Sequence, residues 1–122
     1  MEDTAVMTEL SITVQQQRGF HLVRLQGELD RSTHPLLEQT LQNLTARTTP
    51  RIVVDAEGLA FCDSCGLRTL IRGQRWAEER GGAVRLIGVQ GTLASLLTLT
   101  RLVDLFPPYT ALVQAATWPP PH

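Results

Sequence analysis

Leu10, Ile12 and Val14 alternate with Ser11, Thr13 and Gln15, which predicts a half-buried strand. Residues 16–19 read as a turn. Phe20, Leu22, Val23 and Leu25 then form a second strand that ends at Gly27. The short connection predicts an antiparallel hairpin. The period then changes: Leu36, Leu37, Leu41 and Leu44 fall on one helical face. Ser32 or Thr33 can cap that helix, Pro35 suits its first turn, and Pro50 punctuates its end. Ile52, Val53 and Val54 form a continuous apolar run, as in a strand covered on both faces.

A loop, E-G-L-A-F-C, follows, and a second helix begins near Asp63, a candidate N-cap. Leu67, Leu70, Ile71 and Ala77 face inward along it, and Gly81-Gly82 ends it. Val84, Leu86, Ile87 and Val89 make the next strand. Residues 91–101 make a third helix with Leu93, Leu96 and Leu97 inward. Leu105 and Phe106 are expected to add a last short strand, and residues 110–116 a final turn or two of helix capped by Thr110. This order implies a single-domain α/β fold. Its mixed sheet starts with an antiparallel hairpin, continues with parallel strands, and packs against about four helices. Residues 1–8 are expected to be a flexible leader, 9–116 the domain, and 117–122 a proline-rich tail that frays.

Composition narrows the function classes. The chain has 122 residues, 43% apolar and 19% charged, with a formal net charge of −1. That length suits one domain with its own core. Three Phe, two Trp and one Tyr leave that core to Leu, Val and Ile. No basic patch points to nucleic acid or anionic lipid. No apolar stretch is long enough to insert in a membrane. A cytoplasmic protein with two reduced cysteines, Cys62 and Cys65, is the expectation.

Those cysteines frame the candidate chemistry in F-C-D-S-C-G-L, residues 61–67, between a strand and a helix. In open α/β sheets the functional loops sit at such carboxyl ends of strands. A thioredoxin-like dithiol would use Cys62 and Cys65 at the helix start. However, Asp63 places a negative charge between the sulfurs and opposes thiolate formation. Zinc wants four ligands, and His21, His34 and His122 are scattered, so neither metal nor cofactor is expected. Ser64 lies outside G-x-S-x-G, and no phosphate-binding glycine loop occurs, so no enzyme is expected. Asp63 or Ser64 can simply cap the helix. Gly66 in its first turn costs about 0.5–1 kcal/mol relative to alanine. A functional reading gives that cost a purpose, because a missing side chain would let a partner's backbone approach Ser64.

D-S-C-G-L-R-T-L at 63–70 resembles the D-S-[small]-G-L-x-x-[apolar] signature of STAS domains, specifically the bacterial anti-sigma factor antagonists. L-Q-G-E-L-D at 25–30, the strand and loop at 52–61 and G-G-A-V-R-L-I-G-V at 81–89 extend the likeness over about residues 9–116. The resemblance implies a partner-switching binder. Unphosphorylated, such a protein holds an anti-sigma factor with serine kinase activity and releases the sigma factor. Phosphorylation ends the complex, and a PP2C-type phosphatase resets it. By position, Ser64 is the implied phosphoacceptor, and Asp30, Asp63, Ser64, Cys65, Gly66 and Arg68 are the implied partner-binding residues. Arg68 either touches the partner, shields a phosphate at Ser64, or is simply solvated. A STAS subunit of a sensory or lipid-transport assembly without phosphorylation stays open as the alternative. Dimerisation is left open as well.

Overall fold

A computed structural model describes residues 9–107, 109 and 111–118. The expected leader at 1–8, the Thr110 cap, His122 and the end of the tail lie outside the described residues. The element order is β1 (Leu10–Gln17), β2 (Phe20–Leu29), α1 (His34–Thr45), β3 (Arg51–Cys62), α2 (Ser64–Glu79), β4 (Ala83–Ile87), α3 (Gly91–Leu99) and α4 (Leu112–Ala115). The sheet order is β1-β2-β3-β4. β1 and β2 pair antiparallel, while β2–β3 and β3–β4 are parallel and are crossed by α1 and α2. Among the described residues no helix is long and apolar enough to cross a membrane.

Alternation along the strands divides the sheet into two faces. Val23, Leu25, Ile52, Val54, Val84 and Leu86 meet the leucines of α1, α2 and α3 in the main core. The opposite face carries a smaller cluster, Leu22, Val53 and Ile87, covered by Ala115, Tyr109, Leu112 and Trp118. Both faces of the Ile52–Val54 run are therefore filled, which is why all three residues are apolar.

Several expectations change. Leu36 is 52% exposed, because the inward stripe of α1 is Leu37, Leu41 and Leu44. β2 continues past Gly27 to Leu29, and β3 continues through the expected loop to Cys62. The two extensions pair with each other, Gly27 to Leu59, Glu28 to Phe61 and Leu29 to Cys62, across register shifts. Gly58 permits that pairing, since a Cβ there would sit 2.7 Å from the Leu25 carbonyl oxygen. Leu105 and Phe106 form no strand, and the bridge to Ile87 comes from Tyr109 instead. Two tail residues, Thr117 and Trp118, pack rather than fray. Arg85 donates to the carbonyls of Ala115 at 2.8 Å and Thr117 at 2.9 Å. The Trp118 ring centroid lies 3.7 Å from the guanidinium of Arg85. That guanidinium satisfies the end of α4 and holds the segment against β4.

Candidate functional site

The carboxyl ends of β2 and β3 lie side by side and deliver two turns to one place. From β2 comes the turn Asp30–Thr33 ahead of α1, and from β3 comes Asp63 ahead of α2. Asp63 is the N-cap of α2: its Oδ1 accepts from the Gly66 amide at 3.0 Å. Its Oδ2 accepts from the Arg31 amide at 3.1 Å, and its own amide donates to the Leu29 carbonyl at 3.2 Å. One carboxylate thus ties the start of α2 to the turn that starts α1.

Asp30 organises that turn. Its Oδ1 accepts from the Ser32 hydroxyl at 2.8 Å and from the amides of Ser32 at 2.9 Å and Thr33 at 3.1 Å. These bonds, the Ser32 hydroxyl first, favour the charged carboxylate and hold its pKa below the usual value. Thr33 occupies the N-cap position of α1 but makes no cap bond. Its hydroxyl instead donates to the Glu28 carbonyl at 2.8 Å and accepts from the Asp30 amide at 2.9 Å. Asp30 therefore braces the turn that precedes α1, and no side chain caps the helix itself, neither Ser32 nor Thr33.

Ser64 is the first residue of α2 and is exposed. Its hydroxyl has no hydrogen-bond partner among the described residues. Arg68, one helical turn along, and Arg31, beside Asp63, are also exposed. Cys65 is half-buried. Asp30, Asp63, Ser64, Cys65 and Arg68 thus converge on one end of the sheet, with Arg31 as an addition that the sequence reading passed over. Arg31 directly follows the L-Q-G-E-L-D stretch, so its closeness to Asp63 depends on two distant turns meeting.

Gly66 has a different role from the one expected of it. It is buried, and a Cβ there would lie 2.6 Å from Leu29 Cγ and 2.9 Å from the Leu29 carbonyl oxygen. The close approach that it permits is α2 against the end of β2, within the chain.

Both cysteines are free thiols. Cys62 is 2% exposed and packs in the main core. Burial, and secondarily the Asp63 charge, pushes its thiol up to about 12, away from thiolate chemistry. Its amide donates to the Thr92 hydroxyl at 2.7 Å, which brings the start of α3 to the same end of the sheet. Beside it, the Thr69 hydroxyl donates to the Cys65 carbonyl at 3.2 Å and lies 3.2 Å from His34 Nδ1. Among the described residues no group of three or more His, Cys, Asp or Glu could hold a metal ion.

This architecture has known relatives. A family profile described as "Mlab, STAS domain" matches residues 12–113. An anti-sigma F factor antagonist of Paenibacillus polymyxa is 29% identical over 88% of this chain and 93% of its own length. An anti-sigma-B factor antagonist of Staphylococcus aureus is 30% identical over 79% of this chain and 89% of its own length. The crystal structure of an anti-sigma factor antagonist from Mycobacterium paratuberculosis superposes with a TM-score of 0.80 at 26% identity, covering 92% of this chain and 95% of that one.

Proposed function

This chain belongs to the STAS-domain family, among the anti-sigma factor antagonists, and from that membership we propose that it works by partner switching. Unphosphorylated, it binds an anti-sigma factor that is also a serine kinase, and the sigma factor is freed. Phosphate on Ser64 ends the complex, and a PP2C-type phosphatase restores it. The reading places the chain in the cytoplasm with that partner.

The observation that carries this proposal is the contrast at the first turn of α2. The Ser64 hydroxyl is exposed and uncommitted, while the neighbouring carboxylates of Asp63 and Asp30 are held by hydrogen bonds within the chain. A kinase can reach such a hydroxyl without unfolding anything. The phosphate would meet free helix N–H groups and the positive end of the dipole, so the fold survives. It adds about −1.5 to −2 charges beside two fixed carboxylates. A partner docked over Ser64 then meets bulk and concentrated negative charge that it must desolvate. Cys65, Arg31 and Arg68 supply the accessible contacts around the hydroxyl, and Gly66 contributes only by seating α2.

Incubation with a serine-kinase anti-sigma factor and ATP tests the proposal. Phosphate should appear on Ser64 and be absent from Ser64→Ala. Phosphorylation should weaken the complex by about a hundredfold, roughly 3 kcal/mol, while Ser64→Ala keeps binding. A kinase that binds the protein yet leaves Ser64 unmodified would sink the switch. The chain would then be a STAS subunit of a larger assembly.

A further inference from the structure

The first turn of α2 holds no acidic side chain. Arg68 lies four residues after Ser64, so the two share one face of the helix with their Cβ atoms about 5–6 Å apart. Both residues are exposed. Among the described residues neither the Arg68 guanidinium nor the Ser64 hydroxyl has a partner. The rest of that face offers Arg68 nothing to pair with. Cys65 and Ile71, three residues to either side, carry no carboxylate. Arg72, four residues on, is a like charge already held by Glu38 at 3.2 Å.

The groups that reach this end of the sheet from other elements are committed elsewhere. Asp63 accepts from the amides of Gly66 and Arg31, and Asp30 accepts from Ser32 and Thr33. From α1 comes His34, whose Nδ1 lies 3.2 Å from the Thr69 hydroxyl. The start of α3 brings the uncharged Thr92, which accepts from the Cys62 amide. An unpaired cation thus stands one helical turn from an unpaired hydroxyl, and the nearby carboxylates already accept hydrogen bonds from within the chain.

We propose that Arg68 is the internal counter-ion of a phosphate on Ser64. The inference deepens the switching proposal and rests on it, since it needs a phosphorylated Ser64. The order of the pair is the favourable one: an anion at the first helical position, with a cation four residues later, follows the helix dipole. The planar fork of arginine can meet two phosphate oxygens at once. Pairing withdraws Arg68 from the accessible contacts around the hydroxyl. Phosphorylation then ends the complex in two ways, by adding negative charge and by removing a cation from the docking face.

The test uses the full chain with phosphoserine encoded at position 64, which needs no kinase. A phosphorus-31 titration reads the second ionisation of the phosphate. A cation at Arg68 favours the dianion, so Arg68→Gln should raise that pKa by about 0.3–0.5 unit, and Arg68→Lys should restore most of the difference. Arg75→Gln changes a charge on the same helix about 16 Å from Ser64, beyond the screening length at physiological salt, and should leave the titration unchanged. Without phosphate, Arg68→Gln should melt with the wild type. Equal titrations of wild type and Arg68→Gln overturn the inference, as does a shift that Arg75→Gln reproduces. A serine kinase that binds the chain and leaves Ser64 unmodified defeats the switching proposal instead, and the encoded phosphoserine tells the two failures apart.

Discussion

Cys62 is a residue whose surroundings reverse what its spacing suggests. C-x-x-C at a helix start is the arrangement that lowers a thiol pKa. Here the side chain enters the core and its thiol is pushed up from 9.0 to about 12. A raised acid makes the native state hold its proton where the unfolded chain releases it. The associated stability is complete below pH 9 and is lost as pH rises toward 12. Stability should therefore fall more steeply over pH 9–11 for the wild type than for Cys62→Ala, by at most about 1.4 kcal/mol per pH unit. Urea titrations at a series of pH values measure this. Parallel slopes for the two proteins would show that burial does not hold the proton.

At the scale of the element, α2 owes its place to what it lacks. Gly66 and Gly73 stand two turns apart on its buried side, against Leu29 and the Leu41 Cδ1 respectively. Asp63 fixes the start of the helix, and the missing Cβ atoms let it settle onto β2 and α1. Gly66→Ala gains helix propensity of up to about 1 kcal/mol, yet it forces a methyl to 2.6 Å from a fully buried leucine. Overpacking should win, with a net loss of about 1–2 kcal/mol in urea denaturation. A variant more stable than the wild type would overturn this account of the first turn. The sequence showed that Gly66 carries a cost but not which neighbour compensates for it. Leu29 is 37 positions away, and only the β2–β3 pairing brings it under the helix.

At the scale of the whole molecule, the chain closes its sheet from both sides. Three helices cover one face. A short C-terminal segment covers part of the other, pinned by Arg85 between Tyr109 and Trp118. Trp118→Ala should cost roughly 2 kcal/mol, less than a fully buried tryptophan because the ring is only half-buried. Truncation after Ala116 should cost at least as much, since it also removes the carbonyl of Thr117 from Arg85. Denaturation midpoints of the two variants equal to that of the wild type would mean that the segment adds nothing to the fold.

The sequence by itself determined what local periodicity and local chemistry control. The hairpin, the three long helices, the central apolar strand, the Asp63 cap and the exposed Ser64 could all be read from neighbours along the chain. Tertiary structure alone decided what depends on residues far apart. Gly58 and its neighbours resemble a loop until β2 offers a parallel partner. Leu36 looks inward until the packed stripe of Leu37, Leu41 and Leu44 leaves it outside. Arg31 meets Asp63 only because two strands end together, and Thr117 looks frayed until Arg85 reaches its carbonyl. A single chain's pattern records which side chains want burial or a cap. Which surface supplies them depends on pairing between segments 30 or more residues apart, and no local period encodes that.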